Sequence, residues 1–432
     1  MDTQTLTPQN LEERLIWYGI TGTYGFYLVG GLYVMAPVLG WVLVFYLLKK
    51  LWYQNVATPA QERIHIPLAV WIWVIAMLVM EIALLIGHMD WGLGLAKTLK
   101  SSIGWAKGWA LMAIFPLIGC LNIRPEIIYR AAAIVCLQTL ILLPLLVIAW
   151  LLHLPQDLYV SPVKLVGGPA PEFFKVSLYN VSHDGGVRWY LFAPWAPALG
   201  LVANIYLLCA LHEKNRFWFW VGILGSIAMV LASKSRLALV VMTVIPLASW
   251  GLSVLIRSWA LYLAGGVSVA AGLFAPQLVN LFGDISERFR TARIGSSRVR
   301  ETLGRIAVDR WRDEAPWWGH GIIEKGPHLV EYMPIGSHHS WYGLLFVKGA
   351  VGFLALAIPL AWSFVDLILK AQASREARLG LAVIMLLFLY TFGENLEILA
   401  YLFWPGLVLL GIAHKQPLRN PLTSASVTRS AT

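Results

Sequence analysis

Across 432 residues, hydrophobic side chains make up 58% and Asp, Glu, Lys and Arg only 13%, where a soluble domain carries about a quarter charged. With a mean hydropathy of +0.68, that composition excludes a string of soluble domains and points to repeated passage through a bilayer. The net charge of +10 then reads as loops facing the cytoplasm, and not as a nucleic-acid surface.

The first 14 residues are polar and lack the pattern of a cleaved signal peptide, so the first apolar stretch is expected to stay as a helix. Apolar runs follow at 15–33, 36–51, 68–87, 104–121, 131–153, 191–211, 217–232, 237–255, 258–281, 341–369, 378–392 and 396–413. Pro37 stands where the first two would meet. The pattern predicts an all-α polytopic membrane protein of about twelve transmembrane helices. It forms a single integral membrane domain over 1–432, with one large loop, 282–340, between helices 9 and 10. The 21 Trp and 16 Tyr suit the membrane–water interfaces. Cys120, Cys136 and Cys209 lack metal-ligand spacing and read as packing residues.

With the N-terminus inside, the even-numbered connections hold Lys49, Lys50, Arg124, Arg130, Lys214, Arg216, Arg257, Lys370, Arg375 and Arg378. The tail adds Lys415 and Arg419, so both termini are expected in the cytoplasm. The other face receives 88–107, 154–190 and the long loop. Few cations are expected there, yet the loop carries Arg288, Arg290, Arg293, Arg298, Arg300, Arg305, Arg310 and Arg312 and, between 284 and 314, no lysine.

An amphipathic surface helix explains part of this run. Glu301 and Asp309 flank Arg305 at ion-pair spacing, and Val299, Leu303, Ile306 and Ala307 form an apolar face suited to lie on the membrane. Arg288 and Arg290 fit that account less well, because they follow a span directly and have fewer acidic neighbours. Arginine without lysine suits bidentate contact with phosphate oxygens, and a diphosphate is the expected anion.

Arg188, in Gly185-Gly186-Val187-Arg188-Trp189-Tyr190, and Arg236, in Ser233-Lys234-Ser235-Arg236, stand at the ends of spans. Snorkelling to headgroups is one account of them, and a ligand in a polar cavity the other. His338 and His339 close the long loop in Gly336-Ser337-His338-His339-Ser340-Trp341-Tyr342. An imidazole there can take a proton from a sugar hydroxyl; two ordinary interfacial histidines are the plainer reading. Gly349 and Gly352 are expected to allow close helix packing behind them.

On these residues the chain resembles the O-antigen ligase and O-antigen polymerase superfamily. His338, a polar residue, nine positions and Gly349-x-x-Gly352 follow an arginine-rich external loop, as in that family. His339 stands where the ligases usually have Asn, Ser or Gln. Ser235-Arg236 and Gly319-His320-Gly321 are similar to further family motifs, and Arg188 stands where the preceding loop often has a phosphate-binding arginine. The motifs lie between Arg188 and Gly352.

The resemblance implies a GT-C-like, metal-independent inverting glycosyltransferase without a cofactor, in the bacterial inner membrane. Its donor would be an undecaprenyl-diphosphate-linked glycan at the periplasmic face. Its acceptor would be a sugar hydroxyl on a lipid-linked glycan or lipid A-core. Membrane lipids would surround it, and nucleic acid is not a partner. His338 or His339 would be the catalytic base. Arg188, Arg236, Arg288, Arg290 and Arg298 would hold the diphosphate as its charge develops.

No Asp-x-Asp is present, so the usual carboxylate pair for a divalent metal is missing; Asp90 is the alternative acid. Lys97, Lys100 and Lys107 suit headgroups or the diphosphate, and Glu81, Glu394 and Glu397 are expected to partner arginines. The motifs do not separate a polymerase of O-antigen or exopolysaccharide from a ligase; the stretch 340–349 leans to the polymerase. The second reading is a lipid-linked oligosaccharide flippase or polysaccharide transporter. It predicts internal repeats and broken helices, whereas no repeat is found and the cations cluster at one face.

Overall fold

The computed structural model describes residues 6–59, 62–168, 170–181, 185–255, 257–277, 279–280, 283, 294–336 and 339–418. Before the long loop run α1 (Leu11–Thr21), α2 (Thr23–Leu28), α3 (Leu32–Tyr53), α4 (Leu68–Asp90), α5 (Leu95–Lys107) and α6 (Leu111–Ile118). They are followed by α7 (Pro125–Leu151), α8 (Ala196–Ala210), α9 (Arg216–Ser233), α10 (Arg236–Leu252) and α11 (Ser258–Leu273). The loop contains α12 (Ile294–Glu314), and α13 (Ser340–Lys370), α14 (Arg375–Tyr390) and α15 (Leu396–His414) follow it. Among the described residues the strands form three short antiparallel pairs, β1 (Asp157–Val160) with β2 (Lys175–Ser177), β3 (Asn180–Val181) with β4 (Val187–Arg188), and β5 (Glu324–Lys325) with β6 (Pro334–Ile335).

This is an all-α membrane protein. Among the described residues α3, α4, α7, α9, α13 and α15 are long and apolar enough to cross a bilayer, and α8 and α10 are shorter apolar helices.

Two stretches depart from the expected spans. Helix α3 runs through Pro37 unbroken; the break falls earlier, at Gly30, which takes φ +69. A Cβ there would lie 2.1 Å from that of Ser161, so this corner is shaped by the loop pressed against it. The run 104–121 divides at Gly108 into α5, with no buried residue, and the buried eight-residue α6. On α5, Leu95, Leu99 and Ile103 form an exposed stripe, as on a helix that lies in an interface.

Helix α15 is the centre of the bundle, buried along its length from Leu396 to His414. Small residues let backbones meet around it: a Cβ on Gly411 would lie 2.0 Å from the Pro116 carbonyl oxygen of α6. Gly225 of α9 packs likewise on Cys136, where a Cβ would be 2.4 Å from the Cys136 Cβ. All three cysteines are buried thiols.

The end of the bundle that holds the N-terminal segment is fastened by ion pairs. Glu13 takes Arg124 at 2.7 Å, Glu12 takes Lys50 at 2.7 Å, and Glu213 takes Arg130 at 3.0 Å. Glu126 meets Lys214 at 2.9 Å, and Asp366 joins Lys370 at 2.8 Å to His414 at 2.7 Å. Lys50, Arg124, Arg130, Lys214 and Lys370 are five of the ten cations expected in the even-numbered connections; Lys49, Arg216, Arg257, Arg375 and Arg378 make no such pair among the described residues.

Candidate functional site

At the opposite end, the long loop enters the bundle through a broken helix. Helix α13 is interrupted at Gly349, with φ 63 and ψ −163, nine residues in, or about 13 Å at 1.5 Å per residue. Irregular backbone at such depth is tolerated when protein buries it and satisfies its polar groups. Here the segment 316–321 does so. His320 N and Gly321 N donate to the carbonyls of Phe346 and Val347, and Ala350 N and Val351 N donate to those of Pro316 and Trp317.

The fit depends on missing side chains. A Cβ on Gly349 would lie 2.2 Å from the Trp317 carbonyl oxygen, and one on Gly319 2.5 Å from Lys348 N. A Cβ on Gly352 would strike the Lys348 side chain at 2.3 Å, so this glycine makes room for a lysine only 2% exposed. The two glycine motifs thus form one backbone interlock, which replaces the expected role of Gly349 and Gly352 in close helix packing. His320 is held inside it, stacked between Trp91 and Phe346. Its Nε2 lies 2.7 Å from Glu314 and its Nδ1 3.0 Å from the Phe346 carbonyl.

Helix α12 lies over this interlock. Val299, Leu303 and Ala307 pack on Val330, Ile335 and Phe346, so the apolar face expected on the membrane is spent on protein. Arg310 fastens the helix end through Glu314 at 2.7 Å and through Glu324, over the Phe346 ring. Its hydrogen bonds, with one from His320, hold the Glu314 carboxyl down at about 2. The expected pairs of Arg305 with Glu301 and Asp309 do not form. Among the described residues Arg298, Arg300, Arg305 and Arg312 make no ion pair within 4 Å.

Three further segments meet beside α12. Trp189 N donates to the Ala232 carbonyl at 3.2 Å, which docks the Arg188 strand against the α9–α10 turn. That turn is built by Lys234 in the left-handed region at φ 51 and by buried Ser235, whose Oγ accepts from Ala238 N. Arg236, the next residue, is exposed. Arg188 is half-buried, and its Nε is enclosed without a hydrogen-bond partner among the described residues.

Leu237, after the turn, approaches Gly393, and with it the loop that leads into α15. Glu394 in that loop is 7% exposed and accepts from Trp195 Nε1 at 2.8 Å. Burial pushes its carboxyl up to about 7, against the Trp195 hydrogen bond and the charge of Arg300. Ser340 ties the same loop to α13: its Oγ donates to the Glu394 carbonyl and accepts from Leu396 N.

The predicted residues are divided by this geometry. Arg188 and Arg236 flank one turn. Arg298 and Arg300, two apart on a helix, face different ways: Arg300 reaches Glu394 electrostatically, while Arg298 lines a separate groove with Tyr342. His339 caps α13, its Nδ1 accepting from Tyr342 N at 3.4 Å, and its ring stacks on Tyr342. Burial lowers its pKa to about 4. A lone pair committed to a cap is a poor proton acceptor, so His339 has a positioning geometry. His338, Arg288 and Arg290, with Arg293 and Arg419, lie outside the described residues. Glu81 is not arginine-paired; Lys348 and His88 are the cationic groups within its electrostatic reach.

Sequence reasoning missed the part played by Arg300 and Trp195, and assigned Glu394 an arginine without its tryptophan. The visible signal was an acid between two apolar runs. The arrangement sets a buried acid within the electrostatic reach of Arg300 and close to the turn that carries Arg236, next to the start of α13.

Comparison with protein-family models and with curated proteins finds no match for this chain.

Proposed function

We propose that this protein is a metal-independent inverting glycosyltransferase of the bacterial inner membrane, acting at the periplasmic face on a glycan carried by undecaprenyl diphosphate. The observation that carries the reading is the set of arginines without ion pairs at one end of the bundle, above all Arg188 with its enclosed, unbonded Nε. Guanidinium groups match the oxygens of a diphosphate two at a time. The motif resemblance of His338, Gly349 and Gly352 to the O-antigen polymerases and ligases gives that anion a chemistry.

In the reaction the acceptor hydroxyl oxygen attacks the anomeric carbon as the bond to the diphosphate breaks, and the lipid diphosphate leaves with the electron pair. Arg188, Arg236 and Arg300, with Arg288 and Arg290 as further candidates, stabilise the charge on the leaving group. The hydroxyl proton goes to His338, since His339 spends its lone pair on the helix cap. The product is a longer lipid-linked chain for a polymerase, or a glycan on lipid A-core for a ligase. We read α8, α10, α11 and α14, with the pairs α1–α2 and α5–α6, as the passes beyond the six long helices, which gives about twelve and cytoplasmic termini.

One observation favours a lipid-linked oligosaccharide flippase or transporter instead: the helix broken at Gly349, a device of transport folds. Surface glycan from a deletion strain that carries His338→Ala at wild-type membrane levels separates the two. A glycosyltransferase loses long chains, if a polymerase, or all transfer to the carrier, if a ligase. A transporter keeps its profile, and that outcome overturns the reading.

A further inference from the structure

We propose that the groove along the outer flank of α12 is a binding site for the sugar rings of an uncharged glycan chain, with Tyr342 as its stacking platform. The proposal rests on the glycosyltransferase reading and adds where the chain lies and what class of sugar it accepts. The groove is lined by Arg298, Glu301, Thr302, Arg305 and Asp309 of α12, with Tyr342 across from them. The helix positions recur every three or four residues, so they form one stripe. From Arg298 to Asp309 it runs about 16 Å at 1.5 Å per residue, long enough for several rings in a row.

Two features show that these groups are available. Glu301 and Asp309 each stand four residues from Arg305, a spacing that ordinarily closes into ion pairs. Neither pair forms within 4 Å, while Arg310 and Glu314 of the same helix do close, at 2.7 Å. The Tyr342 ring is also fixed before any ligand arrives. It lies against Gly304, where a Cβ would come within 2.7 Å of it, and it stacks on His339 with ring centroids 4.1 Å apart. It nevertheless stays 38% exposed. An aromatic face held in place is ready to receive the apolar face of a sugar ring at little ordering cost.

Charge then selects the ligand class. Arg298 and Arg305 are balanced by Glu301 and Asp309, so the stripe is neutral. Carboxylates accept from sugar hydroxyls, and guanidinium groups donate to neighbouring sugar oxygens. A diphosphate or a chain of uronic acids would meet the two carboxylates and be disfavoured. This separates the groove from the flank where Arg300, near Glu394, lies with Arg188 and Arg236 on the anion side. Tyr342 stands at one wall of the groove and touches His339, so a chain lying there is led to the start of α13.

The test uses the full-length protein in the deletion strain, with surface glycan read as the ratio of long chains to single units at equal membrane levels. The double variant Arg305→Gln with Asp309→Asn changes exposed side chains and leaves the net charge as it was. It is expected to lower the ratio about five-fold, while single-unit transfer continues. Glu301→Gln is expected to lower the ratio in the same direction. An unchanged ratio in both variants, with His338→Ala still abolishing long chains, overturns the groove and leaves the glycosyltransferase standing. An unchanged profile in His338→Ala overturns both. Longer chains from Asp309→Arg would overturn the neutral-glycan assignment in favour of an acidic one.

Discussion

The two ends of this helix bundle use their buried carboxylates differently. At the end with the N-terminal segment, Lys50, Arg124, Arg130, Lys214 and Lys370 each meet a carboxylate, and several of those carboxylates are buried. At the other end Arg188, Arg298, Arg300, Arg305 and Arg312 meet none among the described residues. Lys175 pairs with Asp157 at that end, and Arg310 is the arginine that fastens α12 to the interlock. Arg188 is half-buried with an enclosed Nε and no counter-ion among the described residues, which costs free energy, and the buried acid of that end, Glu394, is bonded to Trp195 instead; both leave that end open to an anion.

Substitutions at both ends would break or sharpen this contrast. Arg188→Gln is expected to lower glycan transfer on the order of 100- to 1000-fold, as the loss of one charge-stabilising donor does. The thermal midpoint in detergent should hold. If the midpoint falls along with transfer, Arg188 is a tie like those at the far end, and the contrast fails.

The second contrast concerns pH. Glu394 is raised from an ordinary 4.5 to about 7, so the folded protein holds a proton that the unfolded chain gives up. Its contribution is present below pH 4.5 and fades as pH rises to about 7, by up to about 3 kcal/mol. His339 is lowered from 6.5 to about 4, so its contribution has the opposite sign. It is present above pH 6.5 and fades as pH falls to about 4, with a smaller magnitude because the ring is half-buried. Relative to wild type, the thermal midpoint of Glu394→Gln should therefore gain as pH rises from 4 to 7, and that of His339→Asn should gain as pH falls over the same range. Parallel curves would show that the buried acid is not the group described.

At the paired end the effects fall on stability alone. Arg124→Gln leaves Glu13, 1% exposed, without its partner and should lower stability by about 3 kcal/mol, with transfer per folded molecule unchanged. Lys214 is 74% exposed in its pair with Glu126, and Lys214→Ala should cost under about 0.5 kcal/mol. Chemical unfolding of the two variants beside wild type reads this difference directly.

Hydrophobic runs located most helices because burial in lipid acts on each side chain wherever its contacts lie. The runs 68–87, 217–232 and 396–413 became Leu68–Asp90, Arg216–Ser233 and Leu396–His414. The pattern failed at 15–33 and 104–121, where Gly30 and Gly108 interrupt the chain. A Cβ on Gly108 would meet the Glu397 side chain at 2.6 Å, and a residue 289 positions away is invisible to local hydropathy. In the site, Ser235-Arg236 and both glycine motifs stood out as residues, but not as partners. Segment 316–321 pairs with 346–351 only because α4 and α13 hold them together. The Trp195 bond to Glu394 spans 199 positions.

What the sequence by itself determined is the membrane class, most of the helices, and the crowding of arginine into one loop, because these follow from composition and local periodicity. The tertiary structure alone decided which arginines are ion-paired, that α12 lies on protein and not on lipid, and that His339 caps a helix. Each of these depends on a carboxylate, an apolar patch or a backbone N–H brought close by the fold, and pairing energies fall away within a few ångströms of the groups that supply them.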